Sequence, residues 1–232
     1  MKAIFITGIN KGLGKALFDQ SVAKGYFVYG LLRNEQEYAA LNVNLPKNAQ
    51  LILADISQDD TISIIKQCIG EKPVDLLINN AGIGGSFSKL EDATTDELNK
   101  LFNTNCGGVL RVTKALSSNL LAAPNPVVIN LNSRLGSITR QNNGDYKALQ
   151  VSYAYRISKA AQNMLTSCLR SEFNGKIKFI SLHPGTLKTA IAQKDATIEP
   201  AASAAMIIDC WEKNKLNEAN GITELTGSII EW

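Results

Sequence analysis

The sequence predicts an α/β protein with a doubly wound, mostly parallel seven-stranded sheet flanked by helices. Short apolar segments alternate with segments of helical periodicity along the chain, which is the pattern of right-handed crossover units. A glycine-rich turn, "GINKGLG", joins the first apolar segment to the first helix. The 232 residues are enough for one sizeable core, and the chain shows no low-complexity linker. We therefore expect a single domain over residues 1–232.

The first half of the chain supplies four predicted strands. They are written "KAIFIT", "YFVYGLLR", "AQLILADI" and "PVDLLINNAG". A helix follows the first strand and ends near Gly25, and a helix capped by Ser57 lies between the third and fourth strands. Continuous apolar runs of this length are typical of parallel strands that are covered on both faces.

The second half continues the alternation with longer helices. A long helix is predicted over 94–121, then the strand "NPVVINLNS", a helix over 153–173 and the strand "GKIKFISLHPG". A last helix covers 200–214, and "TGSIIEW" supplies the seventh strand. Residues 136–152 have the least regular pattern, so we expect a mobile surface loop there.

Composition argues against several classes of partner. Lys and Arg exceed Asp and Glu by only 24 to 21, which favours neither nucleic acid nor a membrane surface. No apolar run approaches the roughly 20 residues that cross a bilayer, and the start of the chain lacks a signal-peptide pattern. The four cysteines form no CxxC pair. We expect buried free thiols, a cytoplasmic location and no metal site.

The spacing of Gly8, Gly12 and Gly14 is typical of a phosphate-binding turn between a strand and a helix. Backbone N–H groups and the positive helix end can hold a phosphate there, and glycine leaves room for it. The spacing G-x-x-x-G-x-G differs from the more usual G-x-G-x-x-G fingerprint. A tight turn without a ligand is therefore the alternative interpretation.

Lys11 and Arg33 indicate which dinucleotide would bind. An NAD-specific site places a carboxylate about 20 residues past the glycines, but no acid occurs between Asp19 and Glu35. Lys11 lies in the turn and Arg33 ends the second strand, so two cations are expected beside the adenosine ribose. Such cations suit a 2′-phosphate, which favours NADP(H). Two solvated surface cations are the alternative.

Tyr155 and Lys159 lie four residues apart on a predicted helix and therefore share one face. A tyrosine with its ordinary pKa of about 10 is a poor acid–base catalyst at neutral pH. A neighbouring ammonium is expected to lower the pKa of Tyr155 toward the working range. A surface pair without a catalytic role is the alternative when this spacing stands alone.

These motifs occur in one order with further pieces: "TGINKGLG", "ADI", "NNAG", "NTNCGG", "INLNS", "YRISK" and "HPGTLKT". In these motifs the chain resembles the short-chain dehydrogenase/reductase family, and the resemblance covers nearly its whole length. "NSRLGSI", "YAYRISKAAQNML" and "IIEW" are most similar to the sniffer-like carbonyl reductases and the bacterial C-factor group. The resemblance implies a Rossmann domain that transfers a hydride between NADP(H) and a small carbonyl or alcohol substrate.

The resemblance also implies roles for individual residues. Tyr155 would be the general acid/base and Lys159 would hold the nicotinamide ribose. Ser133 would bind the substrate carbonyl, and Asn105 would anchor a proton-relay water. Residues 184–232 would contribute the substrate loop. The cofactor-binding residues would be Gly8, Asn10, Lys11, Gly12, Leu13, Gly14, Arg33, Asp55, Ile56, Asn79, Ala81, Gly82, Tyr155, Lys159, Pro184, Gly185 and Thr189.

Ser133 has a rival for the carbonyl-binding role. The family usually shows a Ser-Ser pair at this strand end, and here Asn132 replaces the first serine. The stretch from Ser133 to Tyr155 is longer than usual, and Ser137 lies closer to the tyrosine. We favour Ser133 because it directly ends the predicted fifth strand.

Two other functions stay open on the sequence. A non-catalytic NADP-binding regulatory or signalling module would keep the nucleotide site without using the phenol. A methyltransferase that binds S-adenosylmethionine also has a glycine turn after its first strand, but it has no use for Lys11 with Arg33. By analogy with the family, helices over 94–122 and 153–173 would pair copies into a homodimer or homotetramer.

Overall fold

The computed structural model describes residues 1–86, 88–188 and 196–232. Within these residues eight strands form one sheet, and eight α-helices surround it. The strands are β1 (Ala3–Thr7), β2 (Phe27–Leu32), β3 (Ala49–Leu53), β4 (Leu76–Asn79), β5 (Val127–Leu131), β6 (Lys178–His183), β7 (Ile222–Glu224) and β8 (Ile229–Ile230). The helices are α1 (Gly12–Ala23), α2 (Glu35–Asn42), α3 (Thr61–Ile69), α4 (Thr95–Phe102), α5 (Gly108–Leu121), α6 (Ile138–Asn143), α7 (Tyr153–Phe173) and α8 (Pro200–Glu212).

The order of the strands in the sheet places a crevice at its centre. The order is β3-β2-β1-β4-β5-β6-β7-β8. All pairings from β3 to β7 are parallel, and β8 is antiparallel to β7. The direction of winding reverses between β1 and β4, and ligands of open α/β sheets bind at the carboxyl ends of the strands at such a point. The predicted doubly wound, mostly parallel fold is confirmed.

Alternating side chains of β1 show why the sheet needs helices on both faces. Ile4 and Ile6 belong to a buried cluster with residues of α1 and α8 such as Leu17. Phe5 points to the opposite face and joins a second buried cluster, which includes Ile65 of α3. Because side chains of a strand alternate between faces, a strand that is apolar at every position must be covered twice. Two cores result, one on each face.

Several predicted elements differ from the structure. The sheet has eight described strands rather than seven, because the last segment of the chain forms the short hairpin β7–β8. The long predicted helix over 94–121 is interrupted by a π-helical turn, the π-turn (Asn103–Gly107), between α4 and α5. Ser57 does not cap α3, which begins at Thr61; its hydroxyl donates to Asp55 Oδ1 at 2.8 Å.

The expectation of an irregular loop over residues 136–152 is wrong for the short helix α6 and correct for residues 144–152, which form turns and irregular backbone. Ser137 caps the short helix α6 by accepting from Arg140 N at 3.1 Å, and Gly144 ends it in the left-handed conformation. Tyr146 is buried and packs in a small apolar cluster with Leu135, Val151, Leu149 and Tyr155. Its hydroxyl donates to the Arg134 carbonyl at 2.7 Å. The segment is therefore folded and packs against α7 through Tyr155.

Across the part of the chain that the structure describes, no helix has both the length and the apolar character to cross a bilayer. The cysteines are free thiols. Cys106 is buried, but Cys68 and Cys210 are half-buried and Cys168 is exposed. The expectation of buried thiols is thus correct for Cys106 and wrong for Cys168.

Candidate active site

A cleft of ≈ 760 Å³ lies at the carboxyl ends of β1, β2, β4 and β5. Its volume is within the range of about 300–1,000 Å³ that small-molecule and cofactor sites occupy. Most of the predicted site residues line it, namely Gly8, Asn10, Lys11, Gly12, Leu13, Gly14, Arg33, Asp55, Ile56, Ala81, Gly82, Tyr155, Lys159 and Pro184. The structure therefore brings the glycine turn, the two cations and the Tyr–Lys pair onto one surface.

The glycine turn fits a phosphate group because its glycines have no side chain to cover the backbone. Gly8 has a φ of 72° and Gly12 a φ of 55°, conformations that glycine adopts without strain. A Cβ on Gly14 would lie 2.0 Å from the Gly8 carbonyl oxygen. Asn80 Nδ2 donates to the carbonyls of Thr7 and Gly8 at 2.8 and 3.0 Å, which fixes the turn. The first turn of α1 follows directly, so its positive end faces the cleft.

Charged groups of both signs lie at the end of the cleft next to β2, called the adenosine end because the sequence predicts the adenosine ribose there. Lys11 is exposed, and Arg33 is 62% exposed with its Nη1 3.7 Å from Asp55 Oδ2. Glu37 also lines the cleft and accepts from Asn10 Nδ2 at 3.2 Å. The two predicted cations are therefore present at this end, beside two carboxylates rather than alone.

Glu37 and Asn34 are wall residues that the sequence reasoning missed, because α2 was not predicted. Asn34 caps α2 by accepting from Glu37 N at 2.9 Å. An N-cap asparagine followed three residues later by glutamate is close to the capping-box pattern of a helix start. That local signal was available in "NEQE" after the second strand.

Tyr155 lies at the start of α7, in the first turn after the capping Ser152, whose Oγ accepts from Tyr155 N at 3.0 Å. Burial raises the pKa of the Tyr155 phenol, and a hydrogen bond from the Ser133 side chain partly opposes that rise. Ser137 instead donates to the Glu231 carbonyl at 2.5 Å. The structure thus brings Ser133, and not Ser137, to the phenol.

Lys159 is 7% exposed, and its ammonium is held by two oxygen acceptors. Nζ donates to the Leu131 carbonyl at the end of β5 and to Gln162 Oε1, both at 2.8 Å. Burial lowers the pKa of Lys159 to about 8, and the nearby Cys106 thiol acts in the opposite direction. Nζ lies 6.0 Å from the centroid of the Tyr155 ring.

The predicted lowering of the Tyr155 pKa by Lys159 is wrong for this structure. The pKa is raised, and the opposing contribution comes from Ser133. The physical reason is that the half-buried phenol packs against the cluster of Leu135, Tyr146 and Val151, and the loss of water there disfavours its charged form. The ammonium meanwhile lies against the Leu131 carbonyl and the Gln162 amide rather than against the phenol oxygen.

Asn132 joins the end of β5 to the catalytic helix. Its Oδ1 accepts from Ser133 N at 2.8 Å, and its Nδ2 donates to the Lys159 carbonyl at 3.2 Å and to Asn163 Oδ1. A Cβ on Gly136 would lie 2.9 Å from the Lys159 carbonyl carbon, so this backbone contact is close. Asn132 therefore fixes the relative positions of Ser133 and Lys159.

Asn105 lies in the π-turn, and its amide is engaged by protein groups. Oδ1 accepts from Ile83 N at 2.8 Å, and Nδ2 donates to the Ile83 carbonyl and to Ser158 Oγ, both at 3.0 Å. Such π-helical insertions are frequent at functional sites. In the structure Asn105 pins the segment after β4 to α7, beside the cleft.

Three predicted cofactor residues are placed differently. Asn79 is buried and donates to Asn130 Oδ1 at 2.8 Å, inside the sheet core, while its neighbour Asn80 stands on the cleft wall. Gly185 has a φ of 89°, and a Cβ there would meet Ile198 Cδ1 at 2.5 Å, so it serves a tight turn after β6. Thr189 lies outside the described residues.

The fold and the position of the cleft define a Rossmann-type nucleotide-binding protein. A family model described as short chain dehydrogenase matches residues 2–199. The chain therefore belongs to the short-chain dehydrogenase/reductase family of oxidoreductases, as the sequence predicted.

Individual relatives and solved structures resemble the chain as well. A protein named C-signal from Myxococcus xanthus is 36% identical over 166 residues, which are 71% of this chain and 95% of that protein. The carbonyl reductase Sniffer of D. melanogaster superposes with a TM-score of 0.85 at 26% identity and full coverage of both chains. A carbonyl reductase from Pseudomonas aeruginosa PAO1 in complex with NADP gives a TM-score of 0.79 at 25% identity, also with both chains fully covered.

Proposed function

We propose that this protein is an NADP(H)-dependent carbonyl reductase that also catalyses the reverse alcohol oxidation. The observation that carries the proposal is that Tyr155 and Lys159 line one end of the cleft, with Ser133 beside the phenol, while the glycine turn lines the other end. Binding a nucleotide alone does not require a half-buried phenol with a serine hydroxyl beside it. The substrate would be a small aldehyde, ketone or alcohol.

The chain's own residues would hold the cofactor along the cleft. The backbone of Gly8 to Gly14 and the start of α1 suit its phosphates, and Lys159 suits the ribose next to the reacting ring. When bound, the nicotinamide supplies or accepts the hydride. The remaining task of the protein is to orient the carbonyl and to move one proton at its oxygen.

The raised pKa of Tyr155 suits the direction of reduction. A phenol whose pKa is raised by burial stays protonated at neutral pH, so it has a proton to give to the carbonyl oxygen. Ser133, which lies beside the phenol, would turn its single O–H to the carbonyl oxygen and hold the carbonyl in place. The Lys159 ammonium, 6.0 Å from the centroid of the Tyr155 ring, would favour, at that distance and without a direct hydrogen bond, the phenolate that remains.

Lys11 and Arg33 support the choice of NADP(H) over NAD(H). Both line the adenosine end of the cleft, where a 2′-phosphate would add charge. The similar carbonyl reductase from Pseudomonas aeruginosa binds NADP in its solved structure. Glu37 and Asp55 at the same end oppose this choice, and we propose that the two cations outweigh them.

A panel of aldehydes and ketones, each offered with NADPH and with NADH, tests the proposal. We expect NADPH oxidation with at least one carbonyl class and a higher kcat/KM for NADPH than for NADH. Nucleotide binding without turnover across the panel would contradict the catalytic assignment. Turnover that prefers NADH would overturn the cofactor assignment alone.

A non-catalytic signalling or regulatory module that binds NADP is the second candidate. It is favoured by the similarity to the protein named C-signal. The two candidates differ in what a substitution at Tyr155 does. A signalling module should bind nucleotide and partner equally well with Tyr155→Phe, and it should show no turnover that the substitution can abolish.

We also propose that residues 1–232 work as one dinucleotide-binding catalytic unit, in which residues 184–232 shape the substrate side.

We further propose that copies of the protein pair into a homodimer or homotetramer. Exposed apolar side chains on α4, α5 and α7 support pairing. They are Phe102, Leu110, Ile157 and Met164. Light scattering at micromolar concentration should give the mass of a dimer or tetramer, and a monomer would contradict this. A cytoplasmic location stays a prediction.

A further inference from the structure

The buried ammonium of Lys159 depends on a glutamine that the catalytic proposal does not use. Gln162 lies three residues further along α7, is 1% exposed, and accepts from Lys159 Nζ at 2.8 Å. An ammonium has three N–H donors. Among the residues that the structure describes, Leu131 and Gln162 supply its two acceptors. Two fixed acceptors set the direction of the third N–H, on a side chain that lines the cleft.

Burial makes the Gln162 contact costly to lose. A charged group taken out of water needs hydrogen-bond partners, and an unsatisfied one is strongly destabilised. The Leu131 carbonyl belongs to the strand β5 and cannot move independently of the sheet. The Gln162 side chain is therefore the acceptor whose chemistry a substitution can change while the backbone stays in place.

We propose that Gln162 is a positioning residue that clamps the Lys159 ammonium against the end of β5, so that its remaining N–H is directed into the cleft. The inference rests on the proposed function, because the ligand of that N–H is the nicotinamide ribose assigned there. Gln162 does not touch the reacting atoms; it acts through Lys159.

The charge of the groups that face the Lys159 ammonium determines how its pKa should respond to a substitution at position 162. Tyr155 faces it from α7 and Cys106 from the π-turn. Burial raises the pKa of both groups, so at neutral pH both are uncharged. The two acceptors, Leu131 and Gln162, are neutral as well. The charge of Lys159 is thus held by dipoles alone, and the acceptor at position 162 controls how easily the ammonium loses its proton.

The test replaces the Gln162 acceptor in two opposite ways. Gln162→Met keeps the shape and removes the amide oxygen, so the pKa of Lys159 should fall by about one unit, the scale of one hydrogen bond to a charged group. Gln162→Glu puts a carboxylate in the same place, so the pKa should rise by a similar amount. Leu169→Met, a buried apolar substitution two turns further along α7, is the matched control and should leave the pKa unchanged.

The pKa is measured on the cofactor-free protein by NMR of 13Cε-labelled lysine, with the Lys159 signal identified by its loss in Lys159→Arg. In parallel, the alkaline limb of kcat/KM should move to lower pH in Gln162→Met and to higher pH in Gln162→Glu. If Gln162→Met does not fold, Gln162→Asn, whose amide is too short to reach, replaces it. Opposite shifts support the proposal. Equal pKa values in all variants, or shifts of the same size in Leu169→Met, would overturn it.

The two readouts separate this inference from the proposed function. If no carbonyl is reduced, the NMR titration still shows whether Gln162 holds the ammonium, and opposite shifts there support the clamp. If turnover is present and the NMR signal does not move, the clamp is wrong and the reductase assignment stands.

Discussion

The two ends of the cleft carry cations in opposite surroundings. At the adenosine end Arg33 is 62% exposed and Lys11 is exposed on the turn. At the catalytic end Lys159 is 7% exposed, hydrogen-bonded on two sides, and has a pKa lowered by burial to about 8. The cations at the first end are exposed to solvent. The cation at the second end is buried and held by fixed hydrogen-bond acceptors in a low-dielectric environment.

This difference teaches where each kind of substitution should act. Exposed charges are screened by water and salt, so they affect binding and selectivity modestly. Buried donors and acceptors are strengthened by the low dielectric and have defined positions, so they affect turnover and titration strongly. The two ends can therefore be separated by measuring nucleotide Kd and kcat independently.

The largest expected effect is at the buried end. Tyr155→Phe removes the proton that the carbonyl oxygen needs and keeps the ring in the cluster with Leu135, Tyr146 and Val151. We expect kcat to fall by at least about 1,000-fold, while the Kd for NADPH changes little. Steady-state kinetics and nucleotide fluorescence titration measure the two quantities. A variant that keeps a tenth of the wild-type kcat would rule out the phenol as general acid.

The next effect distinguishes two serines that lie near each other in the chain. Ser133 lies beside the phenol and opposes the rise of its pKa, whereas Ser137 caps α6 and donates to the Glu231 carbonyl. Ser133→Ala should lower kcat by roughly 100-fold, the scale of losing one fixed donor to a carbonyl. Ser137→Ala should lower the free energy of unfolding by about 1 kcal/mol, the typical cost of a lost cap, and leave kcat near wild type. The reverse pattern in kcat would assign the role to Ser137.

A smaller effect is expected at the solvated end. Lys11→Ala and Arg33→Ala should each raise the Kd for NADPH by about tenfold, with little change for NADH, because only the former carries a 2′-phosphate. The loss should shrink at high salt, since these side chains are exposed. Lys15→Ala, one turn along α1 and paired with Asp19, is the control. Equal losses for both nucleotides would mean that the cations do not read the 2′ position.

Glu37 offers a way to sharpen that comparison. Its carboxylate lines the same end of the cleft and accepts from Asn10. If the end of the cleft binds a phosphate, Glu37→Gln removes a repulsive charge and should strengthen NADPH binding severalfold relative to NADH. Weaker binding of NADH alone would instead indicate that Glu37 holds ribose hydroxyls.

The sheet could be predicted from sequence because its strands are mostly apolar along their length, as in "AIFIT", and because α7 has clear helical periodicity. The short elements could not. β7 is three residues long, and the π-turn depends on how Asn105 meets Ile83 and Ser158 across the fold. Local periodicity carries no information about such contacts.

The same limit applies to the site. The glycine turn, Tyr155 and Lys159 were readable because their chemistry follows from spacing along the chain. The direction of the Tyr155 pKa was predicted wrongly because burial is a property of the packed molecule. Gln162 was missed because only the three-dimensional structure shows its amide oxygen against the ammonium.

The last expected effect is on stability rather than on binding or turnover, and it again separates the buried lysine from the solvated ones. The pKa of Lys159 falls from 10.5, its ordinary value, to about 8 in the folded protein. Between these values the unfolded chain binds more protons at this site than the native protein does, so stability rises with pH across that window. Below about pH 8 the native protein carries the full cost of a buried charge.

Lys159→Met removes this contribution. The free energy of unfolding of the wild type minus that of Lys159→Met should therefore rise by about 1–3 kcal/mol between pH 7.5 and pH 10, roughly the shift converted at 1.36 kcal/mol per unit. Urea unfolding at closely spaced pH values measures the difference, and titrations common to both proteins cancel in it. A difference that stays flat over this window would mean that the Lys159 ammonium is as well solvated as the cations at the other end of the cleft.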